Sequence, residues 1–145
     1  MMHQSLKLYA DQIAFYLPQD SKKTTVTYSE FAQDIDALGT ALIGIKKKGK
    51  HIGIIGKNSY EWAVAYLAIM NGVGIAVSLD KELTVKELID SVKRVKIDTI
   101  FFSDEVAEKV IATKKQGLIK TYISMSPLHK GQTIHQLIDE GRKLI

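Results

Sequence analysis

The sequence has 145 residues, of which 46% are hydrophobic and 25% are charged, an ordinary composition for one globular domain. It contains no cysteine, which excludes disulfides, thiolate metal sites and cysteine nucleophiles. No apolar run reaches the roughly 18 residues of a membrane span, and the first residues lack the apolar core of a signal peptide. The composition therefore predicts a soluble, cytoplasmic protein.

The first long helix begins at a recognisable cap. Thr27 and Glu30 have the spacing of a capping box, and Val26 and Phe31 are placed to form a hydrophobic staple. The apolar residues that follow recur in steps of four and three, as on one helix face: Phe31, Ile35, Leu38, Leu42 and Ile45. Ahead of this helix, residues 6–15 are predicted to form a short helix and residues 24–26 an edge strand.

Strands and helices then alternate along the rest of the sequence. Short apolar runs predict buried strands at residues 51–56, 74–77, 99–102 and 119–124. The helices between them begin at capping pairs: Asn58 with Glu61, Thr84 with Glu87, and Thr133 with Gln136. The helix over residues 58–70 is apolar on nearly all sides, so we expect it to be buried on most of them. A further helix begins in the acidic segment 103–105 and ends at Gly117.

This alternation predicts an α/β fold with a mainly parallel sheet and helices on both faces. We expect a single domain over residues 1–145. Within it, residues 1–27 supply the lead-in helix and edge strand, and residues 28–145 supply the βαβ units. The sequence contains no internal repeat that would divide it further.

The formal net charge is +4, and four of the five residues at positions 46–50 are lysines. Because lysines near the C-terminus of a helix favour the negative end of its dipole, we interpret this segment as a solvated helix end. A nucleic-acid surface would interleave aromatic residues with the lysines, and this segment has none. Nucleic acid is therefore not an expected partner; a binder acting through these lysines would show strongly salt-dependent affinity.

One turn lies where phosphates often bind. Residues 55–59 join a strand to a helix N-terminus, whose free N–H groups attract anions. The turn has neither the three glycines of a dinucleotide fingerprint nor the Gly-Lys-Ser/Thr of a P-loop. We interpret it as a plain βα turn, with an anion site as the alternative.

The remaining polar groups form no recognisable active site. The histidines are His3, His51, His129 and His135. None has the helical spacing of a zinc site, so we expect no metal centre. The acidic pairs are Asp34 with Asp36, Asp80 with Glu82, and Asp139 with Glu140. We interpret them as solvated or capping residues, because general acid–base catalysis needs a shielded carboxylate.

Two serines have acidic neighbours, Ser59 near Glu61 and Ser103 near Asp104. The Gly-x-Ser-x-Gly elbow of a serine nucleophile is missing, so we interpret both serines as helix caps. The residues alone therefore assign no catalytic, cofactor-binding or metal-binding position.

A longer stretch adds a resemblance to a known family. Residues 58–83, NSYEWAVAYLAIMNGVGIAVSLDKEL, closely resemble a segment of the adenylate-forming superfamily, in the form found in bacterial long-chain fatty-acid CoA ligases. Residues 27–31 and 37–42 resemble its opening strand and first helix, and residues 97–103 its next strand. Residues 138–142 are similar to the helix that precedes its phosphate loop.

The resemblance covers residues 6–145 and has two departures. The family usually has proline where Ser78 stands, and the turn at residues 45–48 is shorter than usual. Both suggest local variation in turns. The resemblance implies that this chain is a partial N-terminal domain of the adenylate-forming enzyme fold.

For a complete protein, the resemblance implies an AMP-forming ligase that joins a carboxylic acid, in its closest form a long-chain fatty acid, to coenzyme A. ATP, Mg²⁺ and coenzyme A are the implied cofactors and substrates. The family's loop Thr-Ser-Gly-Thr-Thr-Gly-x-Pro-Lys-Gly does not occur in this sequence, nor does the adenylation lysine of a mobile C-terminal domain. The resemblance therefore places no catalytic residue here, and the chain alone is predicted to be inactive.

The alternative is a stand-alone α/β binding or protein-interaction module without catalysis. The coding sequence beyond Ile145 distinguishes the two interpretations, because a ligase would continue into a Ser/Thr/Gly-rich loop. A domain cut from a longer enzyme would expose apolar surface. We therefore expect the remainder of the same polypeptide as a partner, and self-association of this chain.

Overall fold

The computed structural model describes residues 13–16, 25–126 and 131–144. Its strands are β1 (Ile13–Tyr16), β2 (Thr25–Thr27), β3 (His51–Ile55), β4 (Ile75–Leu79), β5 (Ile97–Phe102) and β6 (Thr121–Ser124). Its α-helices are α1 (Tyr28–Gly44), α2 (Tyr60–Ala68), α3 (Val85–Val95), α4 (Ala107–Ala112) and α5 (Ile134–Leu144). A short 3₁₀ turn precedes α4 at Asp104–Val106, and another follows it at Thr113–Gln116.

The central sheet has four parallel strands in the order β4-β3-β5-β6. Its register places Ile55 of β3 between Leu79 of β4 and Phe102 of β5. Strands β1 and β2 form a separate antiparallel pair. The predicted α/β class with a parallel sheet is confirmed.

The sheet has a hydrophobic core on each face. On one face, Ile54 and Phe101 belong to a buried cluster with residues of α1, α2 and α5. On the other face, Ile100 and Phe102 belong to a cluster with residues of α3 and α4. Helices cover both faces as predicted, because strand side chains alternate between them.

Three of the helix starts follow their predicted caps. Thr27 with Glu30, and Thr84 with Glu87, form complete capping boxes at α1 and α3. At α5, the Gln136 backbone N–H donates to the Thr133 hydroxyl, and the Thr133 backbone N–H donates to the Gln136 side chain. Local sequence therefore determines these three starts.

The prediction of a lead-in helix over residues 6–15 is wrong for its last three residues. Residues 13–15 lie in β1, where pairing with β2 replaces helical hydrogen bonds, while residues 6–12 lie outside the described part of the chain. The edge strand predicted at residues 24–26 appears as β2, at Thr25–Thr27.

Strand β4 is more exposed than predicted, and the helix before it, whose residues are buried or half-buried, ends in an irregular turn. Strand β4 lies at the end of the sheet, and Ile75 has 53% of its surface exposed, so the prediction of a buried strand is wrong. Helix α2 continues after Ala68 into a five-residue π turn, Ile69–Val73. Gly72, at φ 106°, interrupts the helical dihedrals within that turn, and Met70 is exposed.

The lysine-rich segment follows helix α1 instead of lying in its last turn, and three of its lysines, Lys46, Lys48 and Lys50, are exposed as predicted. Helix α1 has no basic residue in its last turn, and Lys46 after it has a left-handed backbone at φ 66°. Lys47 is buried. Within the described residues, no helix combines the length and apolar content needed to cross a bilayer.

Candidate functional site

The carboxyl edge of a parallel sheet is where open α/β domains bind ligands, at the point where successive connections leave toward opposite faces. Here β3 leads to α2 on one face, and its neighbour β5 leads to α4 on the other. The crevice between the loops that follow β3 and β5 is therefore the first candidate site.

Two small residues close this crevice. A β-carbon on Gly56 would lie 1.9 Å from the Ser103 hydroxyl oxygen. That oxygen accepts a 3.1 Å hydrogen bond from the Lys57 backbone N–H, and the hydroxyl donates to Glu105 at 3.2 Å. The two loops therefore contact each other where a ligand would sit. The Ser103 side chain links them and makes no capping hydrogen bond to the helical turn that follows, so the interpretation of this side chain as a helix cap is wrong.

The N-terminus of α2 is capped by a side chain that lies next to it in the sequence. Ser59, with extended backbone, is the N-cap, and its hydroxyl oxygen accepts from the Trp62 backbone N–H at 3.1 Å. The interpretation of Ser59 as a helix cap is confirmed, and the prediction of Asn58 as the cap is wrong by one residue, because the chain turns helical at Tyr60. This use of the first-turn N–H agrees with the plain βα turn and leaves the anion-site alternative without support.

A charged depression of about 260 Å³ lies farther along the same edge, between the β4–α3 loop and α4. Lys81, Glu82, Glu105 and Lys109 surround it. The Lys109 ammonium donates to the Lys81 carbonyl oxygen at 2.6 Å. Two carboxylates and two ammonium groups surround it, so its charges do not favour either an anionic or a cationic ligand.

A polar cluster that the sequence did not indicate joins α1, α2 and α5. The Tyr60 hydroxyl donates to one Asp34 carboxylate oxygen at 2.5 Å, and the Arg142 guanidinium pairs with the other. Burial, then the hydrogen bond and charge of Asp34, raise the pKa of Tyr60 well above its ordinary value. Asp34 is thus paired and mostly covered instead of solvated, and Tyr60 stays protonated, so the cluster holds helices together.

The described histidines lie apart. His51 Nδ1 is 2.5 Å from the Val95 carbonyl oxygen, and His135 Nε2 is 3.7 Å from a Glu61 carboxylate oxygen. His3 and His129 lie outside the described residues. Among the residues that the structure describes, no three His, Cys, Asp or Glu side chains gather as a metal site would require.

A buried ion pair lies at the opposite, amino edge of the sheet. The Lys47 ammonium is 2.6 Å from an Asp98 carboxylate oxygen, and the Thr99 hydroxyl donates to the same oxygen at 2.8 Å. Burial raises the pKa of Asp98, but the hydrogen bonds from Lys47 and Thr99 outweigh it, so the net pKa is lowered. No local pattern pairs residues 51 positions apart, so sequence reasoning missed this contact.

These features define the class of protein: a parallel α/β domain with two cores whose described residues contain no assembled catalytic group. The chain belongs to the AMP-binding enzyme family, whose model matches residues 2–142. The 2-succinylbenzoate–CoA ligase of Lactococcus lactis subsp. lactis (strain IL1403) is 29% identical over 93 residues. That match covers 64% of this chain and 21% of the relative.

Solved structures share the fold at low identity. The anthranilate CoA ligase AuaEII, in complex with anthranoyl-AMP, superposes with a TM-score of 0.82 at 16% identity, over 96% of this chain and 26% of that chain. The long-chain-fatty-acid-CoA ligase FadD1 of Archaeoglobus fulgidus gives 0.82 at 14% identity, over 97% of this chain and 29% of that one. The chain therefore spans between a fifth and a third of these relatives' lengths.

Proposed function

We propose that this chain is the N-terminal part of an AMP-forming ligase that joins a carboxylic acid to coenzyme A. The observation that carries the proposal is the match to the AMP-binding enzyme family over residues 2–142. The relatives described above are named as CoA ligases, and the one in complex with anthranoyl-AMP is bound to an acyl-adenylate. The cytoplasm is the location that we propose with it.

The proposed reaction has two halves. The acid's carboxylate attacks the α-phosphate of ATP, which releases pyrophosphate and leaves an acyl-adenylate; the thiol of coenzyme A then displaces AMP. ATP, Mg²⁺ and coenzyme A belong to this proposal for the whole protein. The turn at residues 55–59 offers few free N–H groups to a phosphate, because those of Lys57 and Trp62 already bond to Ser103 and Ser59.

The identity of the carboxylic acid substrate is a separate part of this proposal. The three relatives are named for 2-succinylbenzoate, anthranilate and long-chain fatty acids. The sequence resemblance favours the long-chain acid, so we propose it as the first substrate to test, with aromatic acids beside it.

ATP–pyrophosphate exchange tests the proposal. The whole protein, read from its complete coding sequence, is assayed with palmitate, benzoate, anthranilate and 2-succinylbenzoate, beside this 145-residue chain. We expect acid-dependent exchange by the whole protein and none by the chain alone. Absence of exchange with every acid would overturn the ligase proposal, and robust exchange by the chain alone would overturn its inactivity.

A further inference from the structure

Four lysines surround a groove at the amino edge of the central sheet, away from the crevice described above. The groove has a volume of about 370 Å³, within the range of small-molecule sites. Lys50 precedes β3, Lys93 and Lys96 lie at the end of α3, and Lys120 precedes β6. Three separate segments of the chain therefore bring positive charge to one surface.

The groove also has an apolar side. Val92 and Ile97 line it and are buried, while Leu118 lines it with 36% of its surface exposed. A hydrocarbon group that covers Leu118 would remove apolar surface from water, which is favourable in proportion to the area covered. The groove thus offers ammonium groups for an anion and apolar side chains for a hydrocarbon.

The single carboxylate in the groove does not cancel these charges. Asp98 lines it; its nearest partner is Lys47, 2.6 Å away, and the charge of the groove residue Lys50 also acts on it. The four groove lysines, Lys47 and Asp98 together carry +4, which equals the formal net charge of the whole chain. The groove lysines therefore give this surface a net positive charge. The C-terminus of α3 adds only about half a negative charge.

Lys96 occupies an unusual backbone position. It is the C-cap of α3, with left-handed dihedrals of φ 59° and ψ 52°. Glycine is the usual residue there, and a side-chain-bearing residue costs about 1 kcal/mol in that conformation. The chain thus places a lysine beside the groove at a position where glycine would be relaxed.

We infer that this groove binds a small amphiphilic anion, a phosphate or diphosphate group joined to an apolar chain. The lysine ammonium groups contact the phosphate oxygens, and the hydrocarbon lies against Leu118. The volume of about 370 Å³ favours a small molecule over an extended polymer. This inference does not depend on the proposed ligase activity.

Titration calorimetry with geranyl diphosphate tests it, with inorganic pyrophosphate and geraniol as part-ligands. We expect geranyl diphosphate to bind more tightly than pyrophosphate, geraniol not to bind, and added salt to weaken binding. The double variant Lys93→Glu/Lys120→Glu should weaken binding by at least about tenfold, because it reverses two charges beside the ligand. The control Lys57→Glu/Lys86→Glu makes the same change of charge at exposed positions near the carboxyl edge and should leave affinity unchanged.

Lys96→Gly supplies a variant that keeps the fold. It relaxes the left-handed cap while removing one groove charge, so we expect unchanged or higher thermal stability together with several-fold weaker binding. Equal binding by all variants would overturn the inference. So would tighter, groove-dependent binding to duplex DNA, or to phosphatidylglycerol vesicles, than to soluble geranyl diphosphate.

Discussion

Gly141 of α5 lies so close to Ala37 of α1 that a β-carbon at position 141 would be 1.8 Å from the Ala37 carbonyl oxygen. The obstructing atom belongs to the backbone of α1, so it cannot rotate away as a side chain could. The close approach of α1 and α5 therefore requires glycine at this position.

Gly141→Ala should lower the free energy of unfolding by about 3 kcal/mol, because the helices must separate and lose packing. Gly39→Ala is the matched control within α1. Its β-carbon would meet Val73 Cγ2 at 3.8 Å, an ordinary contact, so the higher helix propensity of alanine should stabilise the protein by about 0.5–1 kcal/mol. Urea denaturation of both variants checks the pair; equal effects would contradict this account of the helix contact.

The sequence predicts the positions of helices and strands better than it predicts which elements lie next to one another. Capping pairs such as Thr27 with Glu30 are local, so they identify helix starts without knowledge of the fold. The place of β4 at the sheet edge depends on strand order, which its run of apolar residues does not encode; its exposure was therefore missed. The Lys47–Asp98 pair and the basic groove depend on the same long-range arrangement.

The Lys47–Asp98 pair should make the free energy of unfolding depend on pH in the acidic range. The lowered pKa of Asp98 in the folded protein means that its contribution is present above the unfolded carboxyl pKa and is lost as pH falls through the folded value. We expect Asp98→Asn to be about 2 kcal/mol less stable at neutral pH, because it leaves Lys47 buried without a counter-charge. The difference from wild type should shrink between about pH 5 and pH 2.

Denaturant unfolding as a function of pH measures this difference. Asp36→Asn, at an exposed position on α1, is the control and should follow the wild-type curve. A constant gap between Asp98→Asn and wild type across that pH range would show that the carboxylate charge is not what stabilises the site.

The closed crevice at the carboxyl edge gives a two-variant test. Gly56→Ala should destabilise the protein by about 3 kcal/mol, because the alanine side chain meets Ser103 and the backbone at φ 132° is unfavourable for it. Adding Ser103→Gly removes the side-chain clash but not the backbone strain, so it should restore only part of the loss. Full restoration, or none, in thermal unfolding of the double variant would contradict the described contact.

The N-cap of α2 can be located by substitution. Ser59→Ala should cost about 1 kcal/mol, because the Trp62 backbone N–H loses its acceptor. Asn58→Ala, at the neighbouring exposed position, should change stability by less than about 0.5 kcal/mol. Chemical denaturation of both variants compares them directly, and a larger effect at Asn58 would restore the cap that the sequence pattern favoured.

Self-association of this chain remains a prediction, and strand β4 is the part of the chain through which we expect it. Among the described strands β4 pairs only with β3, and residues 75–79 contain no charge or proline to discourage a second strand from pairing. Ile75 and Met70 beside that edge are 53% and 56% exposed. We expect two copies to associate through their β4 edges, and Ile75→Lys to shift sedimentation toward monomer.

Ile111→Lys, on α4, is the control and should leave association unchanged. A wild-type chain that sediments as a monomer at high concentration, or an Ile75→Lys variant that associates as strongly as wild type, would rule out this edge as the contact.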